Sequence, residues 1–290
     1  MALTSQQIEE FQQRGFLLLE DRFSPAEMQL LTREVGVIVG QRSERTVMEA
    51  SGSAVRSVYA PHVSDPVFSV LARDPRLVEP ARSLLGGDIY VYQSKLNIKS
   101  PFVGEVWEWH QDYVFWHNED KMPAARVLSA AVFLDDVNEF NGPMVLIPGS
   151  HRQGVLACPD STNAGDAGQS GPAWRSHVSA RLKYTIDRAV LQDLAGKHGL
   201  YAPKARAGSI LLFDSNIAHA SAANISPFAR SLIFYTYNHV DNAPPQAMLT
   251  RPDFLVSRDS RALAVASDDD LMNAATTPAA NDGVTSLEAK

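Results

Sequence analysis

The sequence contains a single cysteine, Cys158, and this scarcity removes several classes of protein. One cysteine cannot close an internal disulfide, and it offers no second sulfur ligand for a zinc finger or an iron–sulfur cluster. A catalytic thiol is not favoured either, because Pro159 and a neighbouring stretch rich in Ser and Gly indicate a loop. Function must therefore be sought in other side chains.

Long hydrophobic runs and an excess of positive charge are also absent. No apolar stretch approaches the ~20 residues that span a bilayer, and residues 1–14 lack the basic start and apolar run of a signal peptide. Asp and Glu number 33 against 26 Lys and Arg, so the net charge of −7 gives no general attraction for nucleic acid or anionic membranes. We therefore expect a cytoplasmic protein, monomeric or homodimeric, whose partner is a small molecule.

The apolar patterning is that of a globular fold. The 290 residues are 45% apolar, which is sufficient for one large domain, and we place that domain at residues 1–260. Helical patterns dominate the first third, at residues 4–15, 24–40 and 65–86. The predicted strands are 16–19, 89–98, 105–115, 126–134, 144–148, 209–213 and 230–239. The sequence therefore predicts a mainly β fold with flanking helices, built on an antiparallel barrel or sandwich.

Two segments depart from this patterning. Residues 158–180 are rich in Gly, Ser, Asp and Asn, and we interpret them as a mobile insertion or lid. Residues 261–290 mix small and acidic residues without clear periodicity, which predicts a disordered tail.

The most informative motif is His110-Gln111-Asp112, within the predicted strand 105–115. Alternate residues of a strand face the same side, so His110 and Asp112 would project together. A distant third ligand would complete a two-histidine, one-carboxylate iron(II) site, and His219, after the strand 209–213, is the best candidate. A second pair with the same spacing, His117 and Glu119, ranks lower because its flanking residues are charged.

Arg230 adds a second element, eleven residues beyond His219 and at the start of the strand 230–239. A guanidinium can form a bidentate pair with a carboxylate, which is what anchoring the distal end of 2-oxoglutarate requires. Ser221, two residues beyond His219, could donate a hydroxyl to the same carboxylate. Together, the His110 and Asp112 pair, the distant His219 with Ser221, and Arg230 at this spacing indicate an iron(II) and 2-oxoglutarate site more specifically than any one of them does.

These motifs resemble the phytanoyl-CoA dioxygenase superfamily, and within it the ectoine hydroxylase-like branch. The resemblance covers residues 3 to about 245, and the stretches that carry it are 92–99 (YQSKLNIK), 109–112 (WHQD) with WH at 116–117, 141–143 (NGP), 148–151 (PGSH) and 219–230. It implies a double-stranded β-helix (jelly-roll, cupin-like) core, Fe(2+) on His110, Asp112 and His219, and O2 as a co-substrate. It also implies that 2-oxoglutarate, the other co-substrate, is held by Asn97, Lys99, Ser221 and Arg230.

The resemblance also bears on the substrate. In the ectoine enzymes, the positions that match Gln93 and Trp116 line the substrate site. The stretches 55–62 and 224–230 are similar to leucine 5-hydroxylases that act on the free amino acid, so we expect hydroxylation of a leucine-like amino acid. Arg56 could then hold its carboxylate, with Tyr59 and His62 nearby, although all three could equally be structural.

Other functions stay open on the sequence alone. Ectoine or an acyl-CoA could be the substrate, although an acidic chain offers no obvious basic surface for nucleotide phosphates. A non-catalytic barrel that binds a small ligand would predict a missing ligand or anchor residue, and none is missing. A zinc hydrolase could use the same three ligands but gives no reason for Arg230 at its spacing.

Overall fold

The fold is described from a computed structural model of the chain, which describes residues 2–158, 174–175, 178, 182–267 and 269–274. The predicted lid at 158–180 therefore lies almost entirely outside the described residues. Within them, the helices are α1 (Ser5–Arg14), α2 (Pro25–Gly40), α3 (Pro61–Ser64), α4 (Pro66–Leu71), α5 (Pro75–Leu85), α6 (Asp112–Asp120), α7 (Arg188–His198) and α8 (Asp270–Ala274). None of these helices is long and apolar enough to cross a membrane.

The strands form two antiparallel sheets. They are β1 (Phe16–Leu19), β2 (Thr46–Met48), β3 (Val55–Tyr59), β4 (Ile89–Lys99), β5 (Trp107–His110), β6 (Val127–Phe133), β7 (Met144–Leu146), β8 (Ile210–Asp214), β9 (His219–Ser221) and β10 (Arg230–His239). The larger sheet has the order β1-β8-β6-β10-β4-β3-β2, and the smaller has the order β5-β9-β7. This arrangement confirms the expected mainly β fold with a jelly-roll core.

The N-terminal helices cover one face of the larger sheet. Both α1 and α2 begin with a capping box, in which Thr4 or Ser24 pairs with the residue three positions later. Phe68, Leu71 and Leu77 are fully buried between this helical layer and the sheet. The other face of the larger sheet is turned towards the smaller sheet, and that interior holds the polar and charged side chains described below.

The predicted strand at 105–115 is wrong in its second half. The strand β5 ends at His110, and α6 begins at Asp112. The run Tyr113 to Trp116 is aromatic and β-branched, which is typical of a strand, but all four residues are buried by tertiary packing as part of a helix. His110 and Asp112 therefore converge across a strand-to-helix junction, and not along one strand. The strands β2 and β3 and the helix α7 were not predicted.

The segment after Arg261 also differs from the prediction of a disordered tail. Leu263 N–H donates to the Ile89 carbonyl at 2.9 Å, and Ala266 N–H donates to the Arg73 carbonyl at 2.8 Å. Leu271, on α8, is 1% exposed and belongs to the main hydrophobic core. The globular part of the chain therefore extends to Ala274, and residues 275–290 lie outside the described residues.

Because of this packing, we expect Leu271→Ala to lower the free energy of unfolding by about 2–3 kcal/mol, as for other buried leucines. Met272 is the matched control, since it is the next residue on the same helix and is 43% exposed. Met272→Ala should change the stability by less than about 0.5 kcal/mol. Urea denaturation of both variants measures the difference, and equal stabilities would show that α8 is not part of the core.

Candidate active site

Two histidines face each other across neighbouring strands. In the β5–β9 pair, His110 lies opposite His219, and the centroids of their rings are 4.2 Å apart. Asp112, the first residue of α6, completes the group, with Oδ1 at 3.5 Å from His110 Nε2 and 3.9 Å from His219 Nε2. The three potential ligand atoms all lie within 4.8 Å of one another, so one metal ion fits between them.

Backbone carbonyls fix the orientation of both imidazole rings. His110 Nδ1 lies 2.6 Å from the Glu108 carbonyl oxygen, and His219 Nδ1 lies 3.1 Å from the Ile217 carbonyl oxygen. A carbonyl oxygen only accepts a hydrogen bond, so each Nδ1 carries the proton and each Nε2 has a free lone pair. This is the arrangement that outer contacts impose on metal-binding histidines.

The electrostatics of the group match a metal site. Burial, followed by the charge of His110, lowers the pKa of His219 to about 4. Burial by itself raises the pKa of Asp112, but His219 and His110 more than offset it, so the pKa lies below its ordinary value. At neutral pH the group therefore offers a neutral His219 and an ionised carboxylate, the protonation states that a divalent cation requires.

The three residues open into one cavity, whose empty space, together with the part open to solvent, is about 520 Å³. Arg230 lines the same cavity and is 1% exposed. Its guanidinium donates to the Gly142 carbonyl through Nε at 2.9 Å and to Asn97 Oδ1 at 3.2 Å. In the described part of the chain, no Asp or Glu side chain forms an ion pair with it. Burial accordingly lowers the pKa of Arg230 to about 9.

A hydroxyl without a partner lies in the same cavity. Ser221 lines it, and its buried Oγ has no hydrogen-bond partner among the described residues. A buried polar atom without a partner is costly unless a ligand or water supplies one. Together, Arg230 and Ser221 offer a buried positive charge and a free hydroxyl, which suit a carboxylate.

Lys99 departs from the contact that the resemblance implied. Its Nζ donates to the Glu105 carbonyl, and it is not among the residues that line the cavity. Gly142 explains this position, because a Cβ there would lie 2.5 Å from Lys99 Cδ and 2.8 Å from the Ala222 carbonyl oxygen. Burial and the charge of Arg230 lower the pKa of Lys99 to about 6. The structure therefore places Lys99 behind the cavity wall.

The five candidate substrate residues fall into two groups. Gln93 and Trp116 line the cavity, and they also line a second cavity that contains Tyr59 and Arg251. Trp116 reaches the cavity because it lies one helical turn after Asp112.

Arg56 and His62 are not available to a substrate in the main cavity. Arg56 is 1% exposed, pairs with Glu49 at 2.8 Å, and has its guanidinium 3.9 Å from the centroid of the Trp107 ring. His62 Nδ1 lies 2.5 Å from Ser94 Oγ, and the residue lines a separate cavity. The structure therefore places Arg56 against Glu49 and not among the residues that line the main cavity.

The partly buried imidazole of His62 should make stability depend on pH. Burial, followed by the charge of Arg45, lowers its pKa from 6.5 to about 4. The unfolded chain therefore binds the proton more tightly, and stability is lost as the pH falls from about 6.5 towards 4. Between pH 7 and pH 5 we expect a loss of roughly 2 kcal/mol from this group.

The variant His62→Gln should not show this loss of unfolding free energy when its stability is measured at pH 7 and pH 5. His198→Gln, at an exposed position on α7, is the matched control and should keep it. If wild type and His62→Gln lose the same free energy, the proton does not bind at His62.

Several residues of the cavity were not predicted as site residues. These are Lys95, Trp107, Ser129, Met144, Phe213, Ala220, Phe234 and Thr236. The sequence does contain a signal for Lys95, because it has the same parity along β4 as Asn97 and Lys99. Ser129 Oγ and Thr236 Oγ1 lie 3.1 Å apart on neighbouring strands, and only the strand register reveals that pair.

Among the described residues, the competing pair of His117 and Glu119 belongs to no group of three side chains that could hold a metal ion. His117 Nδ1 lies 3.0 Å from the Met122 carbonyl oxygen, so that carbonyl fixes its ring. The Glu119 carboxylate accepts hydrogen bonds from Tyr184 Oη at 2.6 Å and Lys183 Nζ at 2.7 Å. The contacts of His117 and Glu119 are therefore made with other protein groups.

Two histidines and one carboxylate on one face of an iron(II) ion leave the other positions open for a co-substrate and oxygen. A buried arginine in the same cavity suits the far end of a dicarboxylate. Non-haem iron(II) and 2-oxoglutarate-dependent dioxygenases combine these features in a jelly roll, and this enzyme is one of them.

The chain belongs to the phytanoyl-CoA dioxygenase (PhyH) family, whose model matches residues 11–232. An ectoine dioxygenase from Bordetella parapertussis is 39% identical over 273 residues, covering 89% of this chain and 84% of the relative. An L-proline trans-4-hydroxylase from Streptomyces griseoviridis is 39% identical over 246 residues, covering 85% and 90%.

A solved structure agrees with these relatives. The crystal structure of EctD from S. alaskensis with 2-oxoglutarate and 5-hydroxyectoine has a TM-score of 0.75 and 34% identity, and the match covers 90% of this chain and 86% of that one. The expected family and its ectoine hydroxylase-like branch are therefore confirmed.

Proposed function

We propose that the enzyme hydroxylates an unactivated C–H bond of a small amino acid or cyclic amino-acid derivative. In this proposal, His110, Asp112 and His219 hold the iron, and Arg230 with Ser221 holds the distal carboxylate of 2-oxoglutarate. Iron, 2-oxoglutarate and oxygen together supply the oxidant, and the co-substrate leaves as succinate and CO2. The protein binds, orients and shields the reactants.

The observation that carries the proposal is the guanidinium of Arg230, buried beside the three metal-binding side chains without a carboxylate partner among the described residues. Among the described residues, its hydrogen-bond acceptors are the Gly142 carbonyl and Asn97 Oδ1, and both are neutral. A carboxylate bound there would supply the missing negative charge, and it would also accept a hydrogen bond from the Ser221 hydroxyl. A zinc hydrolase would have no use for this pair, whereas 2-oxoglutarate uses both.

The position of Lys95 in the cavity favours a substrate that carries one carboxylate. Its Nζ lies 4.6 Å from the centroid of the Trp107 ring, and within the described ranges no acidic side chain forms an ion pair with it. Burial lowers its pKa to about 8, so a bound anion would stabilise its charged form. Gln93, Thr236 and Ser129 form a polar row across three strands of the cavity, suited to an amine or amide.

The relatives favour compact substrates of this kind, because those compared act by name on ectoine and on L-proline. We therefore rank proline and ectoine first and leucine, the first choice from the sequence, next. The presence of Asp112 favours hydroxylation over halogenation, since a missing carboxylate would leave a coordination site for halide.

The test is a screen of proline, ectoine, leucine and an acyl-CoA with iron, ascorbate and 2-oxoglutarate. Mass spectrometry should find one added oxygen atom in an amino-acid substrate, with one succinate formed for each product. The His110→Ala variant gives the background level of product and succinate. Turnover of the acyl-CoA alone would overturn the substrate class, and substrate conversion without succinate would overturn the reaction.

A further inference from the structure

One buried side chain lies between two of the metal-binding residues without facing the cavity. Gln111 separates His110 from Asp112 in the sequence, is 1% exposed, and is not among the residues that line the main cavity. Its backbone is extended, with φ −118° and ψ 132°, between the end of β5 and the start of α6. Successive side chains of an extended segment point to opposite sides, so the amide of Gln111 points away from the two ligands that flank it.

The amide of Gln111 joins two segments that are distant in the sequence. Its Nε2 donates to the Gly154 carbonyl at 2.8 Å and to the Asn216 carbonyl at 2.5 Å, and its Oε1 accepts from the Leu156 N–H at 2.8 Å. Both amide protons are therefore used. Since a carbonyl oxygen only accepts and an N–H only donates, these partners also fix which end of the amide is the nitrogen.

The contact with Asn216 reaches the third metal-binding residue. Asn216 lies in the turn between β8 and β9, and the next carbonyl of that turn, on Ile217, accepts the Nδ1 proton of His219 at 3.1 Å. The turn is also tied to α6, because the Tyr113 N–H donates to the Ser215 carbonyl at 3.1 Å. The buried amide therefore holds the turn that orients His219 against the segment that carries the other two ligands.

The contacts with residues 154–156 support the same turn. Leu156 is buried and belongs to a small core cluster together with Leu194 and Ala218. Ala218 directly precedes His219 in the sequence. The amide therefore connects the ligand segment both to the turn before β9 and to the core cluster beside that turn.

Few side chains can make these three contacts at once. An ionised glutamate only accepts hydrogen bonds, and it would face two carbonyl oxygens, whereas a methionine of the same length offers no donor. Either change would leave buried backbone groups without partners, which is costly. The position therefore requires a neutral side chain with two donors and one acceptor.

We propose that Gln111 is a positioning residue, which sets the place of His219 relative to His110 and Asp112 through the turn before β9. The inference rests on the proposed metal site, but it concerns a side chain that is turned away from that site. Loss of an outer contact to a metal-binding histidine typically costs roughly 10–100-fold in metal affinity. Because Gln111 acts through the turn, we expect a loss at the lower end, of about 10-fold.

Binding of Co(II), used on the full chain as a spectroscopic substitute for iron(II), tests the proposal. The visible absorption of Co(II) reports the geometry of its ligands as well as its occupancy. Gln111→Met should raise the dissociation constant of Co(II) about 10-fold and change the shape of the spectrum. Gln111→Ser should do the same, and it leaves room for water molecules that satisfy the three backbone groups, so the fold is kept while the direct link is lost.

Two controls separate position from stability. Gln153→Met removes an exposed amide that directly precedes Gly154, so it should keep the wild-type dissociation constant and spectrum. Leu271→Ala removes a buried side chain of α8, far from β9 in the sequence. It should lower the urea midpoint of unfolding and leave Co(II) binding unchanged.

Unchanged Co(II) binding in both Gln111 variants would overturn the proposal. Equal weakening in Leu271→Ala would also overturn it, because the effect would then follow stability and not the position of His219. His110→Ala separates this inference from the metal site itself. If His110→Ala binds Co(II) as tightly as wild type, the metal site and this inference both fail. If it loses Co(II) while the Gln111 variants keep it, only the role of Gln111 is wrong.

Discussion

Replacing Asp112 with asparagine should weaken iron binding and lower the rate of succinate formation by more than about 100-fold, since changes to the outer contacts of a metal ligand already cost 10–100-fold. Asparagine keeps the shape of the side chain at the start of α6 but removes its negative charge. That charge is what faces Nε2 of both His110 and His219. Iron content after anaerobic loading and initial rates of succinate formation measure the two effects.

The control for this change is Asp193→Asn on α7. Asp193 is exposed and pairs with Lys197 at 2.7 Å, so its loss should leave iron content and rate unchanged. If Asp112→Asn retains full iron content and full rate, the metal is held elsewhere. Loss of rate with full iron content would instead mean that Asp112 acts after the metal is bound.

Replacing Arg230 with alanine should raise the KM for 2-oxoglutarate by about 100-fold or more, because losing one partner of a buried charge pair costs roughly 3 kcal/mol or more. Arg230→Lys keeps the charge but not the two parallel N–H donors, so we expect an intermediate KM. The KM for the substrate should change much less than the KM for 2-oxoglutarate. Initial rates at varied 2-oxoglutarate measure the effect.

Arg206→Ala is the control for the loss of a guanidinium. Arg206 is exposed and pairs with Asp21 at 2.6 Å on the surface, so the KM for 2-oxoglutarate should stay at the wild-type value. If Arg230→Ala lowers only kcat and leaves that KM unchanged, Arg230 supports the Gly142 loop without touching the co-substrate.

Much of the fold could be predicted from patterns that repeat locally. The strands β1 and β10 have the predicted bounds, and β4 extends the prediction by one residue. Both long N-terminal helices begin at cap residues that the sequence displays. The junction at residues 110–112 could not be predicted, since Tyr113 to Trp116 would suit a strand equally well and only the packing of α6 decides between the two.

The site could be predicted where chemistry is tied to spacing. His110, Asp112, His219 and Arg230 were selected by residue type and separation, and the structure brings all four around one cavity. The positions of Arg56 and Lys99 could not be foreseen, because each depends on a contact that residue type and spacing do not reveal. Arg56 pairs with Glu49 across the turn between β2 and β3, and Gly142 leaves room for Lys99 to turn towards Glu105.

The register of β5 and β9 links the proposed metal ligand His219 to the proposed co-substrate contact Ser221. His219 and Ser221 are both on β9, opposite His110 and Trp107, and both side chains face the cavity because they are two residues apart. A one-residue insertion or deletion in the turn before β9 would rotate both side chains out of the cavity together. A relative with such a change would be expected to lose the proposed iron ligand and the proposed contact with 2-oxoglutarate together.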